Sequence, residues 1–404
     1  MKIKLVKVKN YKSLADATAE RLTENNMVFG YNNSGKSNLM QLIHLIFRKK
    51  ADYDVYAVER EDGTMESRVK LERGTRNFWD GKIVDQPFLF FKGNRDKNIE
   101  FEVEIEMNVR DLTNVDRLEE YIKAGDSKFD LIIKGIIVSE GYDISRIELE
   151  EVRLNNLKIF STGASGSNYF EGSTTDLKDD STALDEILIL LNNGVQFIDS
   201  NRYFGNEMFI KNEELTPNNF KSWLYDLYIN PETYNQYIDL IKWFDEFKLE
   251  GGNNQSLINN LTNYPLNNAD VGFSNPREGI DIMLDNNKGR YPLKNFGTGI
   301  QQIIYILACI YASKAKVLVI EEVELNLSPA FQNEFLNFLQ QLINDGKINQ
   351  LFFTSHSNYL ADHNHVKSWY AVEIGVDGKS QINTCTHGGA RDYFNNHFTI
   401  KKED

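Results

Sequence analysis

The segment Gly30-Tyr31-Asn32-Asn33-Ser34-Gly35-Lys36-Ser37 constrains this chain more than any other, because it matches G-x-x-x-x-G-K-[ST] in full. Its two glycines let the backbone wrap closely enough for successive N–H groups to face phosphate oxygens. A helix that follows directs the positive end of its dipole at the same anion. Both required flanks are present. Met27-Val28-Phe29 is apolar and enters Gly30 directly, and Leu39, Leu42, Ile43 and Phe47 recur at helical spacing afterwards. The pattern predicts a strand–loop–helix unit of an α/β protein. In it Lys36 reaches the β- and γ-phosphates of a nucleoside triphosphate, the Ser37 hydroxyl ligates Mg²⁺, and Asn33 and Ser34 complete the phosphate loop.

Ligands of open α/β sheets bind beyond the carboxyl ends of the strands, so partners for the loop belong where buried strands end. Val317-Leu318-Val319-Ile320 is apolar without alternation, as in a strand covered on both faces, and Glu321-Glu322 follows it. One acid there can hold the Mg²⁺ shell and its neighbour can polarise an attacking water; Glu321 takes the first role and Glu322 the second. Gln350–Thr354 reads as another buried strand. His356, just past it, is placed to hydrogen-bond the γ-phosphate and the water.

Elsewhere the pattern is mixed. Residues 2–9 read as a strand whose lysines suggest a face or edge open to water. Ile99, Phe101, Val103, Ile105 and Met107 alternate with four glutamates, the period of a half-buried strand with an acidic outer face. Segments 129–138 and 144–160 read as further strands, and 161–180 as a small, polar, mobile loop. An apolar helix at 183–191 leads to a strand at 195–198. Residues 218–249 read as helix broken near Pro231, with Trp223, Leu227, Tyr237, Ile241 and Phe244 as candidate core; an asparagine-rich run at 251–268 ends this insertion. A hairpin near Asp285–Gly289, the triplet Gly297-Thr298-Gly299, an apolar helix through Ile310 and a helix at 329–344 complete the outline.

The charge balance, 45 basic against 59 acidic residues and −14 net, repels a phosphate backbone, so any nucleic-acid contact needs a local basic patch. Arg68, Lys70, Arg73, Arg76 and Lys82 hint at one, although a solvated charged face explains them as well. The two cysteines, Cys309 and Cys385, form no CxxC pair, which argues against a disulfide framework or zinc site, and His363 and His365 lack a third ligand nearby. No apolar stretch suits a signal peptide or membrane span, and the expectation is a cytoplasmic protein with no membrane partner.

The order of phosphate loop, Gly297-Thr298-Gly299, Glu321-Glu322 and His356 resembles the ABC-type ATPases of the SMC/RecF group. The match is closer to the ATPase half of OLD (overcoming lysogenisation defect) proteins. Lys9-Asn10-Tyr11-Lys12-Ser13 resembles that family's opening block, Asn38 follows the loop as in the family, and the run Glu321–Pro329 resembles its EEPExxLHP. Val323 stands in place of the usual proline and Ser328 in place of a frequent histidine. The signature is a reduced GTG. Arg202 matches a recurrent arginine of OLD-like ATPases, for which an ordinary salt bridge is an equal reading; Gln86 is a candidate for the glutamine that senses the γ-phosphate.

The resemblance implies an ABC ATPase head, a P-loop core sheet plus an antiparallel β-lobe, with a helical insertion. Residues 1–204 and 276–404 form the head and 205–275 the insertion. It implies ATP and Mg²⁺ as cofactors. It also implies a homodimer or higher homo-oligomer in which Gly297-Thr298-Gly299 of one copy closes the Gly30–Ser37 loop of the other. OLD proteins continue into a TOPRIM nuclease, and 48 residues after His356 are too few for one. The expectation is therefore a separate effector, a nuclease or other toxin, with DNA or a phage protein as trigger. Stand-alone ATPases of anti-phage systems such as PARIS or Septu have this layout. A RecF-like DNA repair ATPase and an ATP-gated scaffold with incidental turnover are the alternatives.

Overall fold

The computed structural model describes residues 1–47, 53–59, 65–71, 83–84, 89–109, 118, 121–122, 126–139, 144–155, 157–162, 168–169, 181–191, 194–202, 215–246, 259–264, 281–286 and 289–397. In chain order the first elements are β1 (Lys2–Tyr11), β2 (Leu14–Glu20), β3 (Asn25–Phe29) and α1 (Lys36–Phe47). They are followed by β4 (Tyr53–Glu59), β5 (Met65–Leu71), β6 (Ile83–Val84), β7 (Ile99–Asn108), β8 (Lys128–Ser139) and β9 (Ile144–Leu154). The chain continues through β10 (Leu157–Thr162), β11 (Asn168–Tyr169), α2 (Ser181–Leu191) and β12 (Val195–Ile198). The helices α3 (Phe220–Ile229) and α4 (Tyr234–Glu246) precede β13 (Asn259–Tyr264), β14 (Asp281–Asn286), β15 (Gly289–Pro292) and α5 (Thr298–Ser313). Last come β16 (Val317–Ile320), α6 (Pro329–Asn344), β17 (Gln350–Thr354), α7 (Asn358–Ala361), β18 (Ser368–Ile374), β19 (Ser380–Cys385) and α8 (His387–His397).

These elements form two compact units, one of Met1–Phe197, Ala315–Ile320 and Ile343–Asp404, the other of Ile198–Lys314 and Glu321–Leu342. The first unit contains two large sheets. One has the order β11-β10-β9-β8-β7-β1-β2, with β6 paired to β9; the other has the order β12-β16-β17-β3-β18-β19. In β7 the alternation behaves as its period requires: Ile99, Phe101, Val103, Ile105 and Met107 are buried while the intervening glutamates face outward. Lysines of the flanking strands meet them, Lys9 Nζ at 3.0 Å from Glu100 and Lys128 Nζ at 2.8 Å from Glu106. Burial pushes the Glu106 carboxyl up, but the Lys128 hydrogen bond and the charges of Lys4, Lys128 and Lys2 outweigh it and hold the group below its ordinary value. β1 is thus a central strand with one charged face; its lysines do not mark an edge.

The second sheet is parallel through β16, β17, β3 and β18, and β16, β17 and β3 are buried at every position. The buried amide of Gln350 ties the sheets together by accepting from Ile3 N–H (2.7 Å) and donating to the carbonyls of Ile3 (2.8 Å) and Thr23 (2.7 Å). Such complete satisfaction is what allows a polar side chain inside a core. One apolar core runs from Val6, Val103 and Ile133 through Leu39, Ile43 and Phe47 of α1 to Val319 and Phe352. Seven apolar side chains of α1 are buried, worth on the order of 10 kcal/mol as an upper estimate, so packing rather than propensity secures this helix.

In the second unit α3 ends at Asn230, just before Pro231, because proline cannot continue a helix. Leu227, Tyr237 and Phe244 are buried as expected, but Trp223 and Ile241 are only half-buried, and Phe220, Leu224, Leu240 and Trp243 take the core positions. The indole of Trp243 donates to the Leu307 carbonyl at 3.2 Å and stacks edge-on to Phe338 at 5.9 Å, so this aromatic stripe is core. Two expectations need correction. The stretch 161–180 is not loop throughout, since β10 extends to Thr162 and β11 pairs with it; the rest of the stretch lies outside the described residues. The asparagine-rich run 251–268 contains β13, which pairs with β14, so the insertion is not purely helical. Among the described residues no helix is long and apolar enough to cross a membrane.

Candidate functional site

The loop after β3 has the geometry its glycines demand. Gly30 and Gly35 lie at φ +153° and +107°, and Asn33 at +64°, conformations that L side chains seldom adopt. A Cβ on Gly30 would sit 2.2 Å from the Val372 carbonyl oxygen of β18; on Gly35 it would meet Ser380 Oγ at 2.5 Å and Ser13 Oγ at 2.6 Å. Those hydroxyls are pinned. Ser380 Oγ donates to the Ser34 carbonyl (2.5 Å) and accepts from the Ser13 hydroxyl (2.7 Å), Asn38 Nδ2 donates to Ser13 Oγ (2.7 Å), and Ser380 N–H bonds the Ser13 carbonyl (2.8 Å). The loop therefore rests on a small polar floor made by two distant segments, at Ser13 and Ser380.

Lys36 is buried, and its ammonium donates to the carbonyls of Gly30 (3.0 Å) and Tyr31 (2.8 Å), which curls the loop around a positive charge. α1 begins at Lys36, so the first-turn N–H groups of Lys36, Ser37 and Asn38 have no helical carbonyl to bond and point out of the helix end. This cradle, too tight for a Cβ and lined by a cation and backbone donors, fits a phosphate chain. The Gly35→Ala chain is expected to lose about 1–3 kcal/mol of stability and its nucleotide binding. Denaturant midpoints and a nucleotide titration check this; an alanine chain that binds nucleotide like the original would refute the tight-cradle account.

Residue pairing puts Ile320 beside Phe353 and Thr354 beside Val28, so β16, β17 and β3 run out at one end of their sheet. His356 leaves β17 there, next to Ser355, whose N–H bonds the Val28 carbonyl at 3.2 Å. Glu321 and Glu322 are the residues that follow β16. Glu321 is buried and Glu322 half-exposed. Glu322 lies at φ +45°, an uncommon conformation for glutamate that costs on the order of 1–3 kcal/mol. Arg202 holds this turn, donating from one Nη2 to the carbonyls of Glu321 (2.8 Å) and Glu322 (2.7 Å). Its guanidinium thus serves backbone oxygens where sequence reasoning had left a salt bridge open.

Gly299 packs against the segment after Glu322: a Cβ there would meet the Asn326 carbonyl oxygen at 2.5 Å. Gly297 and Thr298, at the start of α5, are exposed, and a Cβ on Gly297 would meet open space. Ser328 precedes α6, its side-chain Oγ accepting from Phe331 N–H at 3.5 Å, with Pro329 at the first helical position. That is a local reason for serine where a histidine was the resemblance's norm. Val323 is buried.

Gly30, Asn33, Ser34, Gly35, Lys36, Ser37, Asn38 and His356 lie in the first unit, and Gly297–Gly299, Glu321 and Glu322 lie in the second. Sequence reasoning missed Ser380, which lies 346 residues from Ser34 and carries no local signal. Gln86, Arg73, Arg76 and Lys82 lie outside the described residues. Cys309 is a buried thiol on α5 and is not part of a disulfide.

A family model described as an AAA ATPase domain matches residues 1–361. Among solved structures the chain is similar to an SMC head bound to the C-winged helix domain of ScpA, at 15% identity and a TM-score of 0.50, with 96% of this chain and 98% of that chain covered. That likeness shows the fold to be of the SMC-head kind: α/β with two sheets. Also similar are an SMC head with an extended coiled coil bound to the C-terminal domain of ScpA, from Pyrococcus furiosus (12% identity, TM-score 0.49, 98% and 100% covered), and the SMC head domain from Thermotoga maritima (11%, 0.40, 96% and 100%). A search of curated proteins finds no match.

Proposed function

We propose that this chain, which belongs to the AAA ATPase domain family, binds and hydrolyses ATP at a site completed by a second copy of itself, and so acts as a nucleotide-controlled switch. The observation that carries this reading is the cradle at 30–37, with its buried ammonium and two sterically obligatory glycines. Lys36 binds the β- and γ-phosphates; Gly30, Asn33, Ser34, Gly35 and Asn38 shape the loop around them. Ser37 and Glu321 would hold Mg²⁺, which would supply positive charge against the phosphates; this ion is commonly bound by only one or two protein groups, so two protein oxygens suffice. Glu322 acts as the general base for the attacking water and His356 as a hydrogen-bond partner of the γ-phosphate.

The dimer reading is supported by the signature. Gly299 has a packing reason inside this chain, but Gly297 and Thr298 sit exposed at a helix N-terminus where, among the described residues, none demands a glycine. An approaching phosphate would demand one. The further reading, a regulator of a separate effector in an anti-phage defence complex with OLD-like affinities, is supported by the blocks at 9–13 and 321–329. Within this reading residues 1–204 and 276–404 act as the ATPase head and 205–275 as its insertion. Sedimentation with ATP, ADP or no nucleotide tests the switch, the expected result being a dimer with ATP alone. A chain that hydrolyses ATP while remaining monomeric throughout would sink the two-copy site. Copurification from the native host, with Lys36→Ala as control, tests the effector, and stimulation of hydrolysis by DNA would favour the repair alternative.

A further inference from the structure

Arg202 is the largest fully buried side chain among the described residues, and burial pushes its guanidinium below the usual arginine range, opposed by the charges of Glu324, Glu322, Asp199 and Glu321. A cation is costly in such a place unless it has a task for which its geometry is suited. Here it reaches, from one nitrogen, two consecutive main-chain carbonyls, 119 and 120 residues away in sequence. The second belongs to Glu322, whose left-handed backbone is unfavourable for a glutamate on its own. The turn is fastened from other sides as well. Glu321 N–H bonds the Ile198 carbonyl at 2.9 Å, so the strand leading to Arg202 and the turn it holds are laced together, and Leu325 N–H bonds the Glu322 carbonyl at 2.9 Å. The Arg202 backbone is itself set by a turn, its N–H on the Ser200 carbonyl at 3.0 Å, while Asp199 Oδ1 accepts from Asn201 N–H at 3.0 Å.

We infer that Arg202 is a positioning residue for hydrolysis: by clamping the Glu321 and Glu322 carbonyls it forces Glu322 into a strained conformation that aims its carboxylate. A strained residue persists only where its surroundings over-determine it, and Arg202 supplies that constraint. Arg202 touches neither nucleotide nor water in this account. It acts through the backbone of Glu322, and the inference rests on the hydrolytic reading above.

The test compares the full-length chain with its Arg202→Met and Arg202→Lys variants for kcat, for binding of a fluorescent ATP analogue and for thermal unfolding. Misaimed by a fraction of an ångström to an ångström, the base loses roughly 10- to 100-fold in kcat in Arg202→Met. Nucleotide affinity, set by the loop at 30–37, stays within about twofold, and Arg202→Lys, which retains a donor for one carbonyl, recovers part of the loss. A crystal structure of Arg202→Met is expected to show Glu322 outside the left-handed region. Unchanged kcat in Arg202→Met, or Glu322 still at positive φ, overturns the inference. So does unfolding of both variants, which would assign Arg202 to stability alone. If the unaltered chain hydrolyses no faster than Lys36→Ala, the hydrolytic reading fails and takes this inference with it; an active parent with an equally active Arg202→Met rejects the inference alone.

Discussion

Replacing Glu322 by glutamine is expected to lower kcat roughly 10²- to 10⁴-fold while the chain still binds ATP. Glutamine keeps the length and the hydrogen-bonding oxygen of the side chain but has no basic site to take the proton of the attacking water. The main-chain hydrogen bonds of this turn, from Arg202 to the carbonyls of Glu321 and Glu322 and from Leu325 N–H to the Glu322 carbonyl, do not depend on which side chain stands at 322. Glutamate and glutamine meet the same penalty at φ +45°, so the stability change should stay within about 0.5 kcal/mol. With binding intact and turnover blocked, an ATP-held dimer should persist far longer than in the original chain. Phosphate-release kinetics and sedimentation with ATP read both effects. A glutamine variant within about threefold of the original kcat would place the base elsewhere.

Lys36→Ala is expected to act one step earlier, weakening nucleotide binding by roughly 10²-fold or more, since charge-assisted hydrogen bonds to phosphate contribute about 1.5–3 kcal/mol each. The ammonium does two things. It supplies the positive charge at the centre of the loop, and it holds the carbonyls of Gly30 and Tyr31 at 3.0 and 2.8 Å, which keeps the loop curled. Alanine removes both, and it leaves a void beside a carbonyl pair that must find water. Calorimetric titration with ATP measures the loss. An affinity within about threefold of the original would mean that the backbone N–H groups and the helix end suffice, and that Lys36 is not the phosphate anchor.

Much of this site was legible along the chain. The phosphate loop has a local spacing signal because its parts are neighbours in sequence: glycines for φ and lysine for charge, with serine, in the proposed reading, for the ion. The buried strands before Glu321 and His356 were legible for a similar reason, since a strand covered on both faces is apolar without alternation. The acidic alternation of β7 announced its own orientation, and its lysine partners on β1 and β8 followed once the strands paired.

Other features had no such signal. On the aromatic helix 220–229 Leu227 is buried as read but Leu224 takes the place read for Trp223, because both are apolar and only the packing of α3 decides which is buried. β13 lies in an asparagine-rich run with little strand propensity and owes its existence to pairing with β14. Ser380 and Arg202 are polar residues in unremarkable surroundings, and their roles arise only when distant segments meet.

By itself, then, the sequence determined the α/β class, the phosphate loop with the charge it carries, and the buried strands that end before Glu321 and His356, because these follow from local backbone geometry and hydrophobic period. The tertiary structure decided what holds those groups in place: the serine floor beneath Gly35, the amide of Gln350 between two sheets, and the arginine that keeps Glu322 left-handed. The reason is physical. A backbone carbonyl or hydroxyl offers the same hydrogen bond wherever it occurs, so which buried donor reaches it is set by the packing of segments hundreds of residues apart, not by the residues beside it.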